Sequence, residues 1–176
     1  MTAHANLLLK TLLASCVLAA ILSGCAIYKD LNKPVVSDAE MEQIFHDNKS
    51  DFDEIVRMSD GDSSVPRIAF DFTWVSGIGS SSDSGNPGIT EERWNEYKTL
   101  FRKLRVEGGI NREPDGTVAF LAFGRGLSPN GLTKGYLFTK SDRNCTAASL
   151  DDLSKFRAQH FVCKHLDENW HLYISK

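Results

Sequence analysis

Histidine and cysteine side chains near the end of the chain have the residue types of a metal site. His160, Cys163, His165 and His171 lie close together in the sequence. A hairpin with a three-residue loop would place His165 opposite His171, with Cys163 two residues along on the same face. Imidazole nitrogens and thiolate sulfurs are ligands that suit zinc and copper. Because His160 would point to the other face and no carboxylate partner is evident, a metal site at His165 and His171 is only an alternative.

A glycine-rich segment at 123–135 has the free backbone that a phosphate-cradling loop requires. Its glycines are not followed by Lys and then Ser or Thr, and Ser128 does not sit in the G-x-S-x-G pattern of a nucleophile elbow. A glycine-rich connection between two strands is the simpler interpretation. If the segment contacts a partner, its donors form the candidate interaction loop, which comprises Arg125, Ser128, Asn130 and Lys134.

Acidic residues elsewhere form neither a hydrolase nor a calcium-binding pattern. Glu91 and Glu92 lie at a predicted helix start, where acidic side chains interact favourably with the helix dipole. Asp60-Gly61-Asp62 lacks the series of ligands that a calcium loop supplies and is better interpreted as a helix stop. We therefore predict no catalytic residues and no cofactor.

The strongest chemical signal lies at the N-terminus. Lys10 is followed by an apolar run from Thr11 to Leu22, and Leu22-Ser23-Gly24-Cys25 resembles the lipobox of bacterial lipoprotein precursors. A short apolar segment engages the export machinery, and small residues before the cleaved bond give the peptidase access. We therefore expect residues 1–24 to be a removable signal peptide and Cys25 to carry a diacylglycerol.

A transmembrane anchor is the alternative for this segment. A spanning helix needs about 20 apolar residues, whereas this run has about 14 even when Ser23 and Gly24 are counted. Residue 26 is Ala rather than the Asp that typically retains a lipoprotein in the inner membrane. The resemblance therefore implies a protein held at the outer membrane and facing the periplasm, with residues 25–36 as acylated cysteine and tether.

Two cysteines remain for the exported chain, because Cys16 would leave with the signal peptide and Cys25 would be acylated. Cys145 and Cys163 would lie in an oxidising compartment, where such a pair forms a disulfide. We therefore expect a disulfide between Cys145 and Cys163, which would remove a thiol from the alternative metal site.

The composition is that of an ordinary folded domain, with 41% hydrophobic and 24% charged residues in a chain of 176. Residues 37–176 are accordingly predicted to form a single globular domain. Lys10 is the only charged residue before Cys25, so the exported chain has 19 basic and 23 acidic residues and a net charge of −4. This balance argues against a nucleic-acid partner, which requires a basic face.

Helical periodicity predicts two main helices. Ser37 and Glu40 have the capping-box spacing, and apolar residues recur at helical period from Met41 until Asp60-Gly61-Asp62 stops the pattern. Thr90 opens the second helix, whose aromatic stripe is typical of core packing. The stripe comprises Trp94, Tyr97, Phe101 and Leu104.

Period-two alternation predicts the strands. Arg67 to Val75 is predicted to be one half-buried strand, with Ile68, Phe70, Phe72 and Trp74 on one side. Ser76 to Gly88 is rich in serine and glycine and is predicted to be a long mobile loop. From Gly109 onward the chain has the pattern of an antiparallel meander that ends in a hairpin. The expected fold is α+β, with two main helices packed on one face of a sheet of about five to six strands.

Several segments together carry a resemblance. They are the lipobox, the Phe-rich first helix, residues 89–97, the segment from Gly126 to Tyr136, and the ending Asn169-Trp170-His171-Leu172-Tyr173. As a set they resemble a group of uncharacterised Gram-negative bacterial lipoproteins over most of the chain after Cys25. Members often carry a second aromatic where His171 stands, and the cysteine pair is not associated with the group. The resemblance implies an envelope location and no known activity.

The expected function is that of a lipid-anchored, non-catalytic binding or interaction module. It would contact the membrane through its lipid and an envelope protein through its surface. An inhibitor or immunity-type protein against a periplasmic hydrolase is an alternative, since inhibition needs only a shaped surface. A metal-binding protein or enzyme that uses His165 and His171 is a further alternative.

Overall fold

The computed structural model describes residues 33–75, 79–81, 88–126, 131–156 and 159–176, with the backbone alone for 79–81. Cys25 and the predicted signal peptide lie outside these ranges. Residues Val35–Lys176 form one compact unit. In the described ranges we find no helix with the length and apolar character needed to cross a membrane.

The described residues form three α-helices and eight β-strands, so the predicted α+β class is confirmed. The helices are α1 (Asp38–Asp47), α2 (Lys49–Gly61) and α3 (Glu91–Lys103), with a 3-10 helix at Leu153–Phe156. The strands are β1 (Arg67–Ile68), β2 (Thr73–Val75), β3 (Gly79–Ser81), β4 (Ile110–Arg112), β5 (Val118–Arg125), β6 (Leu132–Phe138), β7 (Phe161–Asp167) and β8 (Trp170–Ser175).

One antiparallel sheet contains these strands in the order β3-β2-β1-β4-β5-β6-β8-β7. The sheet is wider than the five to six strands predicted. It is also not a simple meander, because β8 pairs with β6 and β7 lies outside it. Thr146 forms an isolated bridge with Lys164 of β7, so the segment before the 3-10 helix covers part of this edge.

The first helical pattern forms two helices rather than the single one predicted. Ser37 caps α1 as expected, since its Oγ accepts a hydrogen bond from the Glu40 amide at 3.2 Å. At Asn48 the side-chain amide donates to the Ile44 carbonyl, and the Asn48 carbonyl accepts from the Asp51 amide, each at 2.9 Å. Such local side-chain bonds compete with a continuous helix, so α1 ends there and α2 begins.

The single strand predicted from Arg67 to Val75 is wrong, because the chain forms a hairpin. β1 and β2 pair with each other, and between them the Ala69 amide donates to the Phe72 carbonyl at 2.9 Å. A contact from α3 holds this turn, since Trp94 Nε1 donates to the Ala69 carbonyl at 2.8 Å. Trp74, predicted to be buried, is 48% exposed.

The segment predicted as a long loop, 76–88, contributes a strand to the sheet. β3 pairs antiparallel with β2, with Gly79 opposite Val75. Residues 76–78 and 82–87 of the predicted loop lie outside the described ranges.

The hairpins of the C-terminal half are confirmed. Between β4 and β5 the Gly116 amide donates to the Glu113 carbonyl at 3.0 Å, which closes the predicted turn. In the last hairpin Trp170, Leu172 and Ile174 are buried in the main hydrophobic core, as their alternation indicates.

An aromatic cluster joins α1 and α2 to the central strands. The ring of Phe52 lies 5.4 Å from that of Phe120 and 4.6 Å from that of Tyr136, measured between centroids. Phe45 lies 5.3 Å from Trp170. All five rings are almost completely inaccessible to solvent. Burial of these large apolar surfaces is a main source of the stability of the fold.

Gly135→Ala tests how closely β5 and β6 approach. A Cβ at residue 135 would overlap the Phe120 carbonyl oxygen and lie 2.9 Å from Tyr173, next to the bulge of β5. We expect the free energy of unfolding, measured by urea denaturation, to fall by about 3 kcal/mol. Gly124→Ala is the matched control, since nothing lies within 4 Å of its Cβ, and should change it by about 0.5 kcal/mol or less. Equal losses in the two variants would contradict this account.

Candidate functional site

The structure describes two residues of the predicted interaction loop, Arg125 and Lys134, and places them in different environments. Arg125 ends β5 and is half-buried beside a cleft of about 450 Å³. Ser128 and Asn130 lie outside the described residues, so their role stays a prediction. Lys134 lies in β6 and is completely buried. Its place in an exposed interaction loop is therefore wrong, because its ammonium group is not available to a partner.

Lys134 is instead the centre of a buried ion cluster. Its Nζ lies 2.7 Å from Asp38 Oδ1, 2.8 Å from the Val36 carbonyl oxygen and 2.9 Å from Asp151 Oδ1. The Leu150 amide donates to Asp38 Oδ2 at 2.7 Å. Two segments distant in sequence, residues 36–38 and 150–151, therefore compensate one ammonium group.

A second lysine extends this cluster to the edge strand. Lys164 of β7 lies 3.7 Å from Asp38 Oδ2 and pairs with Glu42 of α1. Burial opposes ionisation of Asp38, but hydrogen bonds and charge from Lys134 together with the Leu150 amide outweigh it, so the pKa of Asp38 lies below its ordinary value. Charged groups that are mutually satisfied in this way act as a structural support rather than as a nucleophile or base.

The sheet face opposite the aromatic core, which we call the Tyr173 face, carries the predicted disulfide. Cys163 of β7 is bonded to Cys145, eighteen residues earlier. Cys163, Leu137 and Tyr173 form a small buried apolar cluster, against which Cys145 and Ala119 pack. The disulfide therefore ties the segment before the 3-10 helix to this face.

His165 and His171 are cross-strand neighbours on the Tyr173 face, as predicted, with ring centroids 5.6 Å apart. His171 is buried, and its Nδ1 has no hydrogen-bond partner. Burial lowers the pKa of His171, and the nearby charges of His165 and Arg143 lower it further. The described residues contain no group of three or more His, Cys, Asp or Glu that could hold a metal ion.

The ionisable side chains of the Tyr173 face are mostly basic. Strand pairing places Arg67, His165 and His171 on it, and none of its paired positions in the described strands, β3 aside, is Asp or Glu. Arg143 joins them by lying over the ring of Phe161, 5.9 Å from its centroid. Asp71, near Arg67, and Asp142, beside Arg143, flank the face from loops.

Aromatic rings lie beside the two arginines. Phe161 stacks on Tyr173 with centroids 5.7 Å apart, and Arg67 lies 5.5 Å from the Phe72 ring. Trp74, directly across from Arg67, and Phe161 are the large hydrophobic side chains that the described residues expose, at 48% and 41%. Sequence reasoning missed these residues. It assigned Arg67 and Trp74 to opposite sides of one strand, and only their pairing across a hairpin brings them together.

The chain matches no protein-family model, and neither the curated proteins nor the solved structures contain one that is detectably similar to it.

Lys134→Met tests the buried ion cluster. It removes the cation and leaves the Asp38 carboxylate buried without its main partner, so we expect the free energy of unfolding to fall by about 3–5 kcal/mol. Lys155→Met is the matched control, because Lys155 is 72% exposed and pairs with Asp152 at 3.5 Å on the surface. It should change the free energy by about 0.5 kcal/mol or less. Chemical denaturation at neutral pH measures both.

The comparison of wild type with Lys134→Met can also be made as a function of pH. The pKa of Asp38 is lower in the folded state than its ordinary value of 3.8. The contribution of the ion pair to the free energy of unfolding is therefore fully present above pH 3.8. It is lost as the pH falls through the lower, folded value. The difference between wild type and Lys134→Met should therefore shrink in acid. A difference that is independent of pH down to the acid limit of folding would argue against an ionised Asp38.

Proposed function

We propose that the protein is a lipid-anchored binding module of the bacterial envelope that presents its Tyr173 face to an acidic protein partner. The observation that carries the proposal is that this face presents two arginines, Arg67 and Arg143, beside the exposed rings of Trp74 and Phe161, in a chain whose net charge is −3. Arginines on such a surface attract acidic groups of a partner. Trp and Arg are also the side chains most enriched at the energetic centres of protein interfaces.

The proposed anchor is a diacylglycerol on Cys25, after removal of residues 1–24, with the protein at the outer membrane and facing the periplasm. The lipobox supports this part of the proposal. Residues 25–36 would form the tether, and its last carbonyl, that of Val36, accepts a hydrogen bond from Lys134 at 2.8 Å. The tether would therefore meet the folded unit at a point that the ion cluster holds in place.

An inhibitor or immunity-type protein against a periplasmic hydrolase is the second candidate. Many hydrolases that cleave glycosidic bonds use paired carboxylates in an open cleft. A surface that combines Arg67, Arg143 and exposed aromatic rings is complementary to such an acidic cleft. The metal-binding alternative at His165 and His171 has less support, because the positive charge of Arg143 close to His171 opposes the binding of a second cation.

Cys25→Ser tests the anchor. When the gene is expressed in a Gram-negative host with radiolabelled palmitate, the wild-type protein should incorporate label and sediment with outer membranes. The variant should remain unlabelled, retain residues 1–24 and lose this distribution. Cys16→Ser, which changes a cysteine within the proposed signal peptide, is the matched control and should behave as wild type. An unchanged distribution and mass of Cys25→Ser would exclude the lipoprotein assignment.

Site-specific photo-crosslinking tests the binding face. With a photoreactive phenylalanine analogue in place of Phe161 or Trp74, intact cells should give one discrete protein adduct. The adduct should disappear when Arg67 and Arg143 are both changed to Glu, because the electrostatic attraction becomes repulsion.

The control position for this experiment is Arg57 on α2, which is exposed and pairs with Glu54 on the helix surface. The analogue at position 57 should give no such adduct. Equal adducts from positions 57 and 161, or an adduct that survives the charge reversal, would exclude the Tyr173 face as the binding surface. Identification of the adduct as a hydrolase would favour the inhibitor role.

A further inference from the structure

Arg67 combines burial with incomplete pairing. Its Nη1 is buried and has no hydrogen-bond partner, and no carboxylate oxygen of the described residues lies within 4.0 Å of its guanidinium group. The aromatic ring of Phe72 gives it a cation–π contact at 5.5 Å. Burial lowers the pKa of Arg67, although Tyr173 and Asp71 partly oppose this effect. A desolvated cation without an acceptor is costly unless a ligand completes its hydrogen bonds.

A cleft of about 600 Å³ opens beside this arginine, where β1 meets β4. This volume suits a small-molecule ligand or the end of a peptide. Ser63, Asn111 and Arg112 contribute polar groups to its wall, together with the carboxylate of Glu113.

The charges around the cleft determine what kind of anion it favours. Arg112 is charge-compensated, since its Nη1 lies 2.8 Å from Asp60 Oδ1, although this nitrogen, like Nη1 of Arg67, has no hydrogen-bond partner. Glu113 adds a negative charge at the wall, which disfavours a dianion such as phosphate. Arg67 is the cation of the wall without an ion-pair partner among the described residues, and Asp71 nearby compensates its charge only in part. A planar guanidinium group pairs most favourably with a planar carboxylate, through two parallel hydrogen bonds.

We propose that the cleft beside Arg67 is a subsite for a carboxylate group, as found at a peptide C-terminus, with Arg67 as its main ligand-binding residue. The inference rests on the proposed function, because the subsite specifies which chemical group of the partner binds to the Tyr173 face. Asn111 and Ser63 supply further donors beside the carboxylate.

Calorimetric titration of the full mature protein in detergent tests the subsite. The probes are N-acetyl-Ala-Ala with a free carboxylate, the same dipeptide as its C-terminal amide, and inorganic phosphate. We expect the carboxylate to bind at least tenfold more tightly than the amide and more tightly than phosphate. Arg67→Ala should weaken carboxylate binding at least tenfold, and Arg67→Lys, which keeps the charge but loses the planar fork, should give an intermediate affinity.

Arg57→Ala is the control and should bind the carboxylate as wild type does. Urea denaturation tests whether Arg67→Ala is folded. If this variant does not fold, the affinities of Arg67→Lys and wild type for the carboxylate are compared instead. Equal affinity for dipeptide and amide, tighter binding of phosphate, or full affinity without Arg67 would each overturn the subsite.

The two proposals fail separately. Carboxylate binding without a crosslinked partner in cells would retain the subsite and exclude the proposed function. A partner that crosslinks through Phe161 while the dipeptide does not bind would retain the function and exclude the subsite.

Discussion

The buried ion pair between Lys134 and Asp38 constrains most of the remaining structure. An ammonium group with no exposed surface is tolerated only when oxygens surround it, and those oxygens come from Val36, from the first turn of α1 and from Asp151. To supply these oxygens, the start of α1 packs over β6, and residues 150–151 contact the same ammonium group. Tyr136, two residues along β6, then donates its hydroxyl hydrogen to the Met41 carbonyl at 3.0 Å. The aromatic core packs between α1 and β6, which these contacts hold together.

The ion cluster also orders the two faces of the sheet. One face meets α1 and α2 through large aromatic rings and is sealed from water. The Tyr173 face has a smaller apolar cluster, tied by the disulfide at Cys163, and carries Arg67 and the cross-strand pair of His165 and His171.

Arg67 shows how packing at a hairpin leaves a charged group incompletely paired. β1 and β2 turn back at Ala69 because Trp94 of α3 holds the turn. The hairpin places Trp74 across from Arg67 and leaves the guanidinium group over Phe72, with Asp71 nearby but beyond ion-pair distance. These contacts expose an aromatic ring next to a cation that is incompletely paired.

The sequence by itself determined the features that depend on neighbouring residues. Local pattern or elimination gives the caps at Ser37 and Thr90, the turn at Glu113–Gly116, the alternation of Trp170, Leu172 and Ile174, and the pairing of Cys145 with Cys163. They were predicted because their physics acts within a few residues, or because few partners existed.

Only the tertiary structure decided the break at Asn48, the hairpin at 69–72, the eight-stranded width of the sheet and the burial of Lys134. A basic residue in a glycine-rich segment is typical of an exposed loop. The residues near Lys134 in the sequence do not indicate that Asp38, almost one hundred residues earlier, neutralises its charge. Charge compensation and strand register depend on partners distant along the chain. These interactions stabilise the protein only when the chain has folded and the partners are in contact. Local sequence pattern therefore could not predict that Lys134 is buried or that Arg67 lies beside Trp74.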